Sequence, residues 1–153
     1  MGVLSEVNLL LLKYPEVKGI VLDSRGGVLY VGRSLAELIR ERKLNTYSLK
    51  KCSSSCVIAF VSGEKRYMGV NSKLGFHQPH HDLDDFDSEV KIMISEEDIK
   101  IIYEKYSLEF KNSSVNKDFI ARMFDAPSKD MWYPQINELI DANIVHEVIK
   151  SIE

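Results

Sequence analysis

Three short segments of this 153-residue chain carry residue types that could do chemistry together. The first is Ser24-Arg25-Gly26-Gly27. Adjacent glycines let the backbone adopt φ values closed to other residues and approach a ligand closely. Their N–H groups can then steady a developing oxyanion. The second is Cys52-Ser53-Ser54-Ser55-Cys56, followed by Val57-Ile58-Ala59-Phe60-Val61. Small residues running into an apolar helix present a hydroxyl at the helix start, where N–H groups lack intrahelical acceptors. The third is Gly75-Phe76-His77-Gln78-Pro79, which puts a histidine, the commonest general base, at the end of a short apolar run. Each segment also has a plain structural account. Paired glycines suit an ordinary turn, a serine caps a helix well, and a histidine can pack with its ring satisfied. Taken singly, turn and cap are the better accounts, and for His77 the two stand level.

Two other clusters carry residues that could bind a metal or form a bridge. His80 and His81 with Asp82, Asp84 and Asp85 invite a metal, but no recognised ligand spacing joins them. They read as a solvated loop, and neither metal nor cofactor is expected. Cys52 and Cys56 lie four apart, and one pair does not mark a disulfide scaffold. Two small buried thiols are favoured over a bridge across a strand-to-helix turn, which an oxidising compartment would allow.

The elements that must hold these segments follow from the apolar pattern. Val3, Leu4, Val7, Leu10 and Leu11 recur at helical spacing over residues 3–14, and Pro15 ends the run. Residues 17–22 are nearly all apolar and read as a strand of a parallel sheet covered on both faces. Residues 34–42 form an amphipathic helix with Leu35, Leu38 and Ile39 on one side. Strands are expected at 46–49, 66–70 and 73–77, and a buried helix at 54–61, stopped by Gly63. Residues 80–87 are a polar, acidic loop. Helices follow at 89–110, 115–124 and 136–142, with a last strand or extended segment at 144–149. Alternation of this kind predicts an α/β fold with a mainly parallel sheet and flanking helices. All three chemical segments fall after predicted strands, where sites of such folds collect. No repeat or linker divides the chain, so residues 1–153 read as a single domain. The chain opens on a helix feeding a buried strand, so it reads either as a fragment lacking a first strand, truncated at the N-terminus, or as a sheet with an unusual edge.

Composition excludes several classes. Hydrophobic residues are 44% and charged residues 28%, with a net charge of −3. That is an ordinary globular balance, with length enough for a core without metals. Nothing in it points to a nucleic-acid or membrane-surface partner. No apolar run approaches the ~18 residues of a membrane span. Residues 9–12 lack the flanks of a signal peptide. A soluble chain is expected.

The order of Gly-Gly, a small-residue serine before an apolar helix, and a strand ending in Phe76-His77-Gln78-Pro79 resembles the Clp protease proteolytic subunit, in the ClpP/crotonase superfamily. It is most similar to bacterial Clp-like proteins, often periplasmic or membrane-associated, that carry a C-x-S-x-C signature. The signature singles out Ser54 among three serines. Residues 62–66 match the G-x-x-R segment that follows, and the likeness resumes weakly over residues 130–145. The resemblance implies a serine peptidase or acyl hydrolase with a Ser54-His77-Asp130 triad, Asp125 being the other choice of acid. It implies an oxyanion hole of backbone N–H groups from Gly27, Gly26 and Ser55. A peptide or protein substrate and a homo-oligomer come with it. Residues 89–110 would be the handle through which such subunits pair. The approach to that helix is acidic rather than glycine-rich, so neither the double ring nor an ATPase partner is carried over. Two other functions fit the same residues: a crotonase-like enzyme acting on acyl thioesters, and a degenerate Clp-like domain that binds peptides or scaffolds.

Overall fold

The computed structural model describes residues 2–78, 95–127 and 130–152. The predicted loop at 80–87, its candidate metal cluster, Pro79 and the first residues of the predicted 89–110 helix lie outside them. Helix α1 (Val3–Lys13) leads into strand β1 (Gly19–Val21), and helix α2 (Leu29–Glu41) connects it to β2 (Asn45–Ser48). Then come β3 (Lys51–Ser53), α3 (Ser55–Val61), β4 (Arg66–Gly69) and β5 (Lys73–Gly75). The chain ends with α4 (Glu96–Asn112), α5 (Lys117–Met123), α6 (Ile136–Asp141) and β6 (Glu147–Ile149). Among these described helices, none is long and apolar enough to cross a membrane.

The strands are parallel, as predicted, but they form two sheets. One has the order β1-β2-β4-β6, and the other pairs β3 with β5. Strand β3 is an addition to the sequence reading. It separates from β2 because Asp23 turns the chain there. The Asp23 carboxylate accepts from the amides of both Leu49 and Lys50 at 2.9 Å. Two ladder donors are thereby taken out of the large sheet, and the chain re-enters a second one.

Helix α3 is the centre of the core, and all seven of its residues are buried. It is apolar all round, as a helix covered on every side must be. Helix α2 packs on it through Gly32, where an added Cβ would stand 2.5 Å from the Ser55 carbonyl oxygen. Strand β2 meets α3 from below, with the Thr46 hydroxyl donating to Phe60 O at 2.7 Å. Its alternation is inward Thr46 and Ser48, outward Tyr47. Tyr47 stacks on Tyr67 of β4, centroids 4.8 Å apart, on the outer face. That face explains a correction to β1. It was predicted to be covered on both sides, yet Gly19 and Ile20 are half-buried and Val21 is exposed. β1 is the edge of the sheet, and α1 leaves its outer end open.

Arg66 closes the far end of the core. Its side chain is buried and donates to five carbonyls, those of Val61, Gly63, Ser113, Asn143 and Ile144, at 2.6–3.4 Å. One guanidinium thus ties the end of α3 to the loops after α4 and α6.

Candidate active site

Ser54 sits between β3 and α3 in a backbone conformation that few residues adopt, φ 56° and ψ −129°. Such a geometry costs about 1–3 kcal/mol and persists only where the surroundings impose it. Here they do. The Ser54 amide donates to Gly75 O at 2.9 Å, and the Ser53 amide donates to Ser24 O at 3.0 Å. Strand β3 is held by β5 on one side and bridged to Ser24 on the other. Gly26, at φ 95°, presses so closely that a Cβ there would lie 2.5 Å from Ser53 O and 2.7 Å from Ser54 Cβ. A sharp strand-to-helix turn of this kind exposes a serine hydroxyl at its apex.

That hydroxyl does not cap α3. Ser54 occupies the N-cap position, but no hydrogen bond runs from its side chain to the helix. Its Oγ instead lies 2.8 Å from His77 Nε2. The capping account is thereby replaced for this serine. His77 is positioned by its neighbours in sequence. Phe76 exchanges two backbone hydrogen bonds with Trp132, at 2.8 and 2.9 Å, and its ring is buried against Phe110, Phe119 and Trp132. Gln78, whose role the sequence reading missed, anchors the other side. Its amide donates to Ala126 O at 3.0 Å, its side-chain nitrogen donates to Phe124 O, and its carbonyl accepts from the Tyr103 hydroxyl at 3.2 Å.

The predicted oxyanion residues converge on the same turn. The Gly26 amide is committed to Ser24 Oγ at 3.1 Å. The amides of Gly27 and Ser55 have no acceptor among the described residues. Beside them opens a cavity of about 320 Å³, lined by Leu22, Val28, Val31, Leu35, Cys56 and Ala59 together with the two glycines. Nothing in the spacing of these residues marked them as a group, because they come from two helices and the connection between β1 and α2.

Asp130 and Asp125 are exposed, and their amides donate to Pro127 O and Arg122 O. No hydrogen bond among the described residues joins either carboxylate to His77. Asp130 lies two residues before Trp132, on the segment that pairs with Phe76. Cys52 and Cys56 also differ from the reading of the sequence. They are joined in a disulfide with Cα atoms 5.4 Å apart, and its ring of residues encloses Ser54.

No protein-family profile and no curated protein matches the chain. Solved structures do. ClpP1 from Listeria monocytogenes superposes with a TM-score of 0.73 and 19% identity, over 97% of this chain and 83% of that one. A single-site mutant of the same protein gives a TM-score of 0.70 and 19% identity, over 97% and 82%. The fold is Clp protease-like. At this identity the likeness speaks for architecture alone.

Proposed function

We propose that the chain is a Clp-like serine hydrolase acting on peptide or ester carbonyls. The observation that carries this reading is the 2.8 Å contact of Ser54 Oγ with His77 Nε2 at a strained turn. A serine that only needed to satisfy its hydroxyl would cap the helix it precedes. Ser54 faces a base instead.

In the proposed reaction, Ser54 Oγ attacks the substrate carbonyl carbon as His77 Nε2 takes its proton. The amides of Gly27 and Ser55 donate to the oxygen that becomes negative. Gly26 shapes the turn, since its own amide is already used by Ser24. The C–N or C–O bond then breaks, with His77 returning the proton to the leaving group. Water repeats the sequence on the acyl-enzyme and frees Ser54. Asp130 is proposed as the carboxylate that orients the imidazole, delivered by its place beside the Phe76–Trp132 pair, with Asp125 second. A homo-oligomer and an oxidising compartment, such as a bacterial periplasm, go with this reading. The disulfide supports the latter.

Hydrolysis of a panel of fluorogenic peptides and p-nitrophenyl esters tests the proposal. The Ser54→Ala variant should lose turnover while keeping its fold. Unchanged hydrolysis by that variant would refute the assignment. Tight binding of an acyl thioester, with no dependence on Ser54, would favour the crotonase-like alternative.

A further inference from the structure

The Cys52–Cys56 disulfide surrounds Ser54, and no step of the proposed reaction uses it. Cys52 is the middle residue of β3, and Cys56 is the second residue of α3. Between them lie only Ser53, Ser54 and Ser55. The rest of that ring is clamped from outside. Cys52 is in register with Leu74 of β5 and bridged to Ser24. Gly26 is packed against Ser53 O, and Gly32 against the Ser55 carbonyl. Cys52 is fully buried and Cys56 is 7% exposed. Opening the bond replaces a covalent contact by two thiols that must stand a van der Waals distance apart in this close-packed place. The strand and the helix start are pinned by hydrogen bonds and by the two glycines. Within the ring, Ser54 holds the least favourable backbone geometry and is therefore the residue most easily released.

Access to the bond is one-sided. Cys56 lines the cavity beside Gly27, and Cys52 does not. A small thiolate entering that cavity meets Cys56 before Cys52.

We propose that the Cys52–Cys56 disulfide positions Ser54 against His77, and that a small dithiol entering through this cavity opens it and turns the nucleophile off. The chemistry is thiol–disulfide exchange. The dithiol's thiolate attacks Cys56 Sγ, the S–S bond breaks, and Cys52 leaves as a thiolate that takes up a proton. The dithiol's second thiol, as thiolate, displaces Cys56 from the mixed disulfide. The dithiol ends oxidised to its own disulfide, and the protein carries two thiols. Two electrons and two protons have moved from one to the other.

This inference rests on the proposed nucleophile, so the test reads the two separately. The intact protein is reacted with a fluorophosphonate probe before and after treatment with dithiothreitol. Intact mass confirms the gain of two hydrogens, and circular dichroism follows the fold. Labelling of Ser54 should slow at least tenfold on reduction and recover on reoxidation, with secondary structure kept. Brief treatment with a monothiol of limiting concentration should leave its mixed disulfide on Cys56 rather than Cys52. The Cys52→Ser, Cys56→Ser double variant should label as slowly as the reduced protein and should not respond to dithiothreitol. Equal labelling of oxidised and reduced protein overturns the inference and leaves the hydrolase standing, since the Cys56 thiol would then have swung into the cavity without moving Ser54. Labelling of Ser54 in neither state overturns both.

Discussion

Two polar groupings lie at opposite ends of α3, one buried and one half-buried, and they use their hydrogen bonds in different ways. At the far end, the Arg66 guanidinium donates to five carbonyls, and among the described residues it has no carboxylate partner. Burial pushes its pKa down to about 10, which still leaves it charged near neutrality. Its donors are fixed, so it can only hold elements together. At the near end, Ser54 Oγ and His77 Nε2 share one hydrogen bond, and the ring's tautomer decides which of them donates. The Gly27 and Ser55 amides beside them are uncommitted among the described residues. A polar cluster whose donors are all taken is architecture. One that keeps a transferable proton and open donors can do chemistry.

The comparison breaks most sharply with Ser54→Ala. Turnover should fall roughly 10³-fold or more, while stability changes by no more than about 1 kcal/mol, since only the hydroxyl's bond to His77 is lost and the backbone turn is unaltered. Arg66→Met should do the reverse. It strands several buried carbonyls, each costing about 1–3 kcal/mol if left unpaired. A large drop in denaturation midpoint is expected, with the activity of the molecules that remain folded nearly unchanged. A collapse of kcat at full folding would place Arg66 in the site after all.

Gly26→Ala falls between the two. The added methyl meets Ser53 O at 2.5 Å, at a φ that strains any other residue. A stability loss of about 1–3 kcal/mol is expected, together with a loss of kcat larger than that of KM, because the turn carrying Ser54 must shift. Retention of full kcat would detach Gly26 from the site.

The smallest effect concerns His146, which belongs to the Arg66 end. Its Nδ1 accepts from the Arg66 amide at 3.2 Å. Burial first, and then the charges of Arg66 and Lys65, hold its pKa below the usual histidine value. The unfolded chain therefore binds the proton more readily than the folded one. Stability is full above about pH 6.5, the unfolded histidine value, and declines as pH falls from there toward the lower folded pKa. His146→Gln should flatten that decline in melting temperature between about pH 7 and pH 5. An unaltered pH profile would remove His146 from the account.

What the sequence disclosed follows the same division. Ser54 and His77 were legible only together, because three segments that singly suit a turn, a cap and a packed ring occur in an order that resembles one family, whose signature picks Ser54 from the three serines. The parallel α/β class was legible from alternating elements. The split into two sheets was not, because it depends on Asp23 reaching Leu49 and Lys50 some 26 residues away in the chain. The three-residue strand β3 opens with an exposed lysine and leaves no periodicity to read. The disulfide was the second choice behind buried thiols, because a four-residue spacing suits both. What decides is whether the strand and helix bring two Cα atoms within about 4.4–6.8 Å, a property of the turn rather than of the cysteines. The apolar composition of β1 suits a central strand equally well, because it does not say which neighbours cover it. The acid rests on the resemblance alone, at Asp130 with Asp125 second, since the sequence around these two aspartates carries no apolar periodicity to place them.

The measurement that bears most directly on the central claim is peptide mapping of the fluorophosphonate adduct on the oxidised protein, with His77→Ala alongside. The account predicts a single adduct on Ser54, not on Ser53 or Ser55, and labelling at least tenfold slower in the variant. An adduct on either neighbouring serine, or labelling indifferent to His77, would contradict it.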